Sequence, residues 1–527
     1  MKNHLRLISG AAALVLFTGG CAPSHSDGDY TANMQATTET SDAGTTPDLA
    51  GTAGNTATEA TQEQGFVNVL TSPTGSVPVD VGTASYAYSR SCINDGRLPS
   101  PGSVRIEEFL NYFGYAYPAP AAGSPLGLTI EGSDCPWAAG HRIVRIGVNA
   151  REVPVTSRQG CNLVLLVDTS RSMYGENRLG LVKGAFLEFL EQLDERDSIG
   201  IVTYAGNYQT LAEPTVCDAE GKAKLARALR RLNTADEPRG GGGIKTAYKL
   251  AKQQFRPEAN NRVVLLTNGH FNVGAADDAE LVELVRKESE AEIFLTTLGI
   301  GRANLNTPLL RQLSAVANAN RDAADTPKEA ARVFGLRLSG TLVPVAHDVK
   351  IEVDFNPARV DSYRLLGYDM RRLDPSQSDE PAGDSGEMAS GRNVTALYEI
   401  VPAGPDNAVG VTAASRYVAI SNRRKIDDWL SVKVRCLPAD GGLGGQLEQP
   451  AGDSVLAPAG PVSADQNFAL AVAEFSLALR GSKFKGTSDF QSALKRLESP
   501  GVLGADRDRL EFRDLVKHAI ACPPSGE

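Results

Sequence analysis

Three observations predict a doubly wound α/β domain over residues 160 to 345 of this 527-residue chain. The first is the run Cys161-Asn162-Leu163-Val164-Leu165-Leu166-Val167-Asp168-Thr169-Ser170-Arg171-Ser172-Met173, where a short apolar stretch ends in Asp-x-Ser-x-Ser. An apolar stretch of that length, bounded by polar residues, reads as a strand buried on both faces of a parallel sheet. The second is a pair of similar stretches, Arg262 to Thr267 and Glu292 to Ile300. The third is the beat between them: strands that alternate with helices imply crossover units and helices on both faces of the sheet.

The elements follow in order. Arg178 to Asp194 is amphipathic, with Leu181, Phe186, Phe189, Leu190 and Leu193 on one side, and predicts a helix. Ser198 to Tyr204 is a strand, and Tyr208 to Leu211 a short antiparallel edge strand. Lys222 to Leu232, Gly243 to Gln254 and Ala279 to Ser289 are helices. Thr326-Pro327-Lys328-Glu329 is a capping box with proline at the first helical position, so another helix starts there. Flanking α+β regions, 77–158 and 346–525, are expected to pack around this domain. Arg105 to Phe113 is a helix in the first. In the second, Val349 to Phe355, Ser362 to Leu366, Asn393 to Val401 and Trp429 to Arg435 alternate like antiparallel strands. Phe468 to Leu479, Ser488 to Leu497 and Arg507 to Ile520 are closing helices.

In parallel sheets ligands sit beyond the carboxyl ends of the strands. Asp168, Ser170 and Ser172 stand there, and one carboxylate with two hydroxyls is an oxygen-rich donor set for a divalent cation. The pattern resembles the von Willebrand factor A (VWA) domain, a Rossmann-like fold, and the start of its metal-ion-dependent adhesion site. The resemblance then narrows. NLVLLVDTSRSM, DSIGIVTYAG, NNRVVLLTNGHFNVG and FLTTLGIG are similar to the bacterial YfbK-type VWA lipoproteins. So are the flanks: VGTASYAYSRSCINDGRLPSPGSVRIEEFLNYFGYAYP and CPW before the domain, VKIEVDFNPARVDSYRLLGYDMR and NVTALYEIVPAG after it. The similarity spans about residues 77 to 525. It implies a protein-binding or scaffold module whose partner is held at the strand ends.

The chain departs from that family at the metal site. The family's site takes five side chains from three loops, and only the first loop, with Asp168, Ser170 and Ser172, is intact. The threonine of the second loop aligns with Pro238; Thr234, Asp236 and Glu237 lie nearby at the wrong spacing. The aspartate of the third loop is Asn268, which keeps a carbonyl oxygen and loses the charge, and His270 follows it. Affinity for hard cations falls as carboxylates are removed. The expectation is a degenerate site that holds no cofactor, or Mg²⁺ or Ca²⁺ only weakly. The alternatives are a metal-dependent adhesion receptor using Asp168, Ser170 and Ser172, and a hydrolase.

Lys2 and Arg6 precede an apolar run from Leu7 to Phe17, too short to span a bilayer. Thr18-Gly19-Gly20-Cys21 resembles a lipobox, so residues 1–21 read as a lipoprotein signal with lipid on Cys21. That implies a membrane-anchored protein of the cell envelope, facing the periplasm or the outside. Residues 22–72 are rich in Thr, Ala, Gly, Ser and acids and read as a disordered tether. Its typical span is roughly 40 Å, and a chain starting near Ser76 is expected to melt like the full mature one. Asp374 to Arg392 reads as a long loop and Pro438 to Pro461 as a Gly/Pro/Ala connector.

A net charge of −10 argues against nucleic acid as a partner. The basic stretch from Lys222 to Arg231 reads as a solvated helix face. Cysteine spacing selects none of the pairings open to Cys92, Cys135, Cys161, Cys217, Cys436 and Cys522, and Cys161 reads as a core thiol. No enzyme motif stands out and no small-molecule substrate is implied. Gly240 to Thr246 lacks the Gly-Lys pair of a phosphate loop and reads as a helix start packed close to the strand ends. No histidine stands at a recognisable spacing from Ser170 or Ser172.

Overall fold

The structure is a computed structural model. It describes residues 63–523 apart from residues 80, 440 and 443 and the stretches 155–158, 206–207, 235–241, 270–277, 302–307, 317–320, 335–342, 370–385, 405–426 and 458–459. All of these lie in one unit, Thr58–Glu527.

Before the central domain come β1 (Val67–Asn68), β2 (Thr74–Val77), α1 (Ala84–Asn94), α2 (Ile106–Leu110), β3 (Leu126–Asp134) and β4 (Arg142–Ala150). The domain itself runs β5 (Cys161–Asp168), α3 (Leu181–Glu191), β6 (Ser198–Tyr204), β7 (Gln209–Val216), α4 (Ala219–Arg231), α5 (Gly243–Gln253), β8 (Asn260–Thr267), α6 (Asp278–Glu290), β9 (Ile293–Ile300), α7 (Pro308–Val316), β10 (Arg321–Ala324) and α8 (Pro327–Arg332). After it come β11 (Pro344–Phe355), β12 (Val360–Leu365), β13 (Gly386–Ala389), β14 (Asn393–Pro402), β15 (Leu430–Pro438), β16 (Gly445–Ala451), α9 (Asp453–Leu456), α10 (Ala464–Arg480), α11 (Phe490–Leu497) and α12 (Arg507–Ala521).

The central sheet has the order β10-β9-β8-β5-β6-β7, parallel except for the edge strand β7. Every residue of β5 and β6 is buried because helices cover both faces. Phe186, Phe189 and Leu190 of α3 and Leu225 and Leu229 of α4 fill one face. Ile244 and Tyr248 of α5, Leu281 and Val285 of α6, and Leu310 and Leu313 of α7 fill the other. This is the doubly wound fold that the alternation implied. Two details differ. β7 continues to Val216 through Pro214, which an edge strand tolerates because one side of its backbone needs no partner. The helix expected from Arg178 begins instead with a π-helical turn, Glu176–Gly180, that leads into α3.

The flanking regions are not two bodies. β4, from before the central domain, pairs with β14 from after it, giving the sheet β1-β12-β14-β4-β3. β2 pairs with β11 in a second antiparallel sheet, which also holds β13, β15 and β16. The two sheets share a core that includes Val144, Val148, Val353, Phe355, Tyr398 and Val432. Helices α1, α2, α10, α11 and α12 cover the outer face of the first sheet through an aromatic cluster of Tyr86, Phe109, Tyr112, Phe113, Phe468, Phe475 and Phe512. Segments 77–158 and 346–525 thus share both sheets in one discontinuous module, with the α/β domain inserted in it.

The tether also needs correcting at its end. Residues 63–72 belong to the folded body. Val67 pairs with Tyr363 and Val69 is fully buried. Glu63 accepts hydrogen bonds from the Ser482 hydroxyl (2.5 Å) and the Lys483 N–H (3.2 Å). Phe66 and Phe484 lie on the buried Arg364 guanidinium, which donates to Glu399 at 2.6 Å. The Pro438 to Pro461 connector similarly contains β16 and α9, and β13 closes the Asp374 to Arg392 loop, the rest of which, through residue 385, lies outside the described residues.

α1 joins the inserted domain to the module. Its Arg90 donates to Asp325 (2.5 Å), Glu329 (3.3 Å) and the Tyr112 hydroxyl (2.8 Å). Burial opposes that charge, but Tyr112, Asp325 and Glu329 outweigh it and hold the guanidinium above its ordinary pKa. The Thr83 hydroxyl donates to Asp322, and Lys328 of α8 pairs with Asp508 (3.0 Å) and Glu511 (2.7 Å) around α12. Cys161 sits fully buried in the core, as expected.

Candidate functional site

The carboxyl ends of β5, β6, β8 and β9 form one rim of the central sheet. Asp168 ends β5 and is 1% exposed; its Oδ1 accepts the Ser170 N–H at 2.8 Å. A short 3₁₀ turn, Arg171–Met173, follows. Met173 anchors that turn by inserting into the core, which leaves Ser172 at the surface. The Ser170 and Ser172 hydroxyls are 2.8 Å apart, so the loop brings them together as its spacing implied.

Asn268 follows β8, the strand that pairs with β5, and is half-buried. The next residue, Gly269, has φ +97° and donates its N–H to the Thr267 hydroxyl at 3.2 Å. Asp168 and Asn268 thus stand on neighbouring strand ends. Pro238, Asp236, Glu237, His270 and Cys21 lie outside the described residues. Beneath the rim, burial lifts the Tyr204 phenol well above its usual pKa, and the Asp168 charge adds to that. The glycines before α5 are packed tightly: a Cβ on Gly243 would fall 2.9 Å from Tyr204 Cβ, and one on Gly242 would fall 2.4 Å from the Tyr208 ring. The helix start therefore sits close against the strand ends, as read from Gly240 to Thr246.

Three rim residues escaped the sequence reading. Arg178, in the π-helical turn, donates to the Ser172 carbonyl. Its side chain crosses Gly301, at the end of β9, where a Cβ would meet Arg178 Cγ at 3.1 Å. An arginine at the start of a helix runs against the helix dipole, and that was the available signal. The other two are Tyr174 and Tyr208, aromatic rings 77% and 52% exposed. Among the described residues, no group of three His, Cys, Asp or Glu side chains converges to hold a metal ion. No helix among them is long and apolar enough to cross a membrane.

A doubly wound sheet carrying Asp-x-Ser-x-Ser at its carboxyl rim defines a VWA-domain protein. Family models agree: "von Willebrand factor type A domain" matches residues 163–270, "von Willebrand factor" residues 53–145, and "Uncharacterized protein YfbK, C-terminal" residues 340–521. The chain is 32% identical to the uncharacterized protein YfbK of Escherichia coli (strain K12) over 460 residues, covering 86% of this chain and 79% of that one. It belongs to the YfbK family. The human inter-alpha-trypsin inhibitor heavy chain H3 is 28% identical over 162 residues, 29% of this chain and 18% of that one. Among solved structures, a von Willebrand factor type A protein from Catenulispora acidiphila superposes with a TM-score of 0.42 at 16% identity, covering 71% of this chain and 87% of that one.

Proposed function

We propose that this chain is a lipid-anchored protein of the cell envelope that holds a protein partner at its VWA strand ends, through a degenerate metal site. One observation carries the reading: the Arg178 guanidinium donates to the Ser172 carbonyl, while the described donors are one carboxylate, two hydroxyls and the Asn268 amide. Hard dications require charged oxygens, and a neighbouring cation opposes them. These donors do not fit a tightly held Mg²⁺ or Ca²⁺. The exposed rings of Tyr174 and Tyr208 suit a protein surface, where tyrosine is enriched. The Ser170 and Ser172 hydroxyls face each other rather than a base, which supports binding over hydrolysis.

Calorimetric titration tests the metal reading. The wild type is expected to bind Mg²⁺ and Ca²⁺ weakly or not at all, and Pro238→Thr with Asn268→Asp to create or strengthen binding. Micromolar binding by the wild type, abolished by Asp168→Ala, would instead establish a metal-dependent adhesion receptor. Anchoring is tested separately: Cys21→Ser should release the protein from membranes or leave its signal uncleaved. A wild type that fractionates as a soluble, lipid-free protein would defeat that part.

A further inference from the structure

We infer that the strand-end site takes a carboxylate side chain of its partner directly onto Arg178, with no cation between them. The inference rests on the reading of the strand ends as the partner site. The guanidinium is a placed group rather than a loose surface charge. Gly175, at φ +119°, opens the π-helical turn that carries it. The side chain lies across Gly301, which has no Cβ to displace it, and one nitrogen is fixed by the Ser172 carbonyl.

Among the described residues Arg178 has no carboxylate partner, and its hydrogen bond there is to the Ser172 carbonyl, which leaves donors of the fork for a ligand. Arginine presents parallel N–H donors that match a carboxylate in two-point fashion. The Ser170 and Ser172 hydroxyls beside it add neutral donors. Asp168, the one acid of the loop, is 1% exposed and its Oδ1 accepts the Ser170 N–H, so an incoming carboxylate does not touch it. The Arg178 fork is thus the group of this loop that meets a carboxylate. The partner that fits is a protein segment presenting Asp or Glu, with the rings of Tyr174 and Tyr208 as its apolar contacts.

The test uses the full mature chain in the presence of a chelator. The probes are a fluorescein-labelled Gly-Asp-Gly-Asp-Gly peptide and its Asn counterpart, with binding read by anisotropy at low salt. The acidic peptide should bind at least about tenfold more tightly than the amide, since charged hydrogen bonds carry that much. Arg178→Ala should erase the difference while leaving the melting temperature unchanged, and Arg178→Lys should restore only part of it. Acidic-peptide binding that needs added Mg²⁺ and survives Arg178→Ala would overturn the inference but keep the strand ends as the partner site. Equal binding of both peptides, lost with Tyr208→Ala, would do the same. Failure of either peptide to bind, or binding indifferent to Arg178, Ser172 and Tyr208 alike, would defeat both readings.

Discussion

The inserted VWA domain and the sandwich that carries it are built on opposite plans. In the VWA domain neighbours in sequence are neighbours in space: β5 is followed by α3 and pairs with β6, and β8 is followed by α6 and pairs with β9. In the sandwich the decisive pairs span the whole insertion, with Ile146 opposite Ala396 and Val77 opposite Ile351. The VWA domain can thus form from local crossovers, whereas the sandwich must close a loop of about 250 residues before its central pairing exists. Their junction is held by the buried Arg90 guanidinium together with Ala84 and Ala87 of α1, which pack into the VWA core.

That contrast is most severely tested at Arg90. Removing it leaves Asp325 and Glu329 buried without their main countercharge, and such losses cost about 3–5 kcal/mol. Arg90→Ala is expected to split denaturant unfolding into two transitions, one for each plan. A single transition at the wild-type midpoint would show that Arg90 is not what couples them.

A smaller effect is expected at the strap formed by residues 63–72. A chain beginning at Thr74 loses the burial of Val69 and Phe66, a deficit of about 2 kcal/mol or more. Its melting temperature should fall by several degrees, while a chain beginning at Glu63 should melt like the mature protein. Equal melting of all three would return the strap to the tether.

The mildest effect concerns the sandwich alone. Burial lifts the pKa of Glu107 above 4.5, with Arg105 pulling the other way. Below that value the folded and unfolded chains both carry the proton and no penalty arises. As pH rises, the unfolded chain ionises first, and stability is lost until the folded carboxyl ionises too. Glu107→Gln should therefore gain stability over the wild type between pH 4.5 and neutrality, with no gain at lower pH. Parallel thermal melts across that range would contradict the assignment if the two proteins kept a constant separation.

These differences also set what was legible. The VWA strands were readable because burial on both faces turns a strand into an unbroken apolar run, as in Leu163 to Val167. β16, with the sequence Gly-Gln-Leu-Glu-Gln-Pro-Ala, has the alternation of a strand with one face in water but the composition of a connector. β1 is two residues long, and its place is fixed by Tyr363 and Asp361, far along the chain. At the site, Asp168, Ser170 and Ser172 were legible because one turn holds all three. Arg178 was not, because its relevance comes from Gly301 at the end of a different strand. The amide at Asn268 could be read as a lost charge, but not the cation standing beside the hydroxyls.

The strap also fixes how the molecule carries load. Any pull applied through the N-terminal end reaches Glu63 first and then passes to Ser482, Lys483 and Arg364 of the sandwich and its helices. The VWA domain enters and leaves the sandwich farther along the chain, after β4 and before β11. Tension between that end and a partner held at the rim therefore crosses the sandwich first and enters the VWA domain at the junction around α1, so the Arg90 contacts lie in its path.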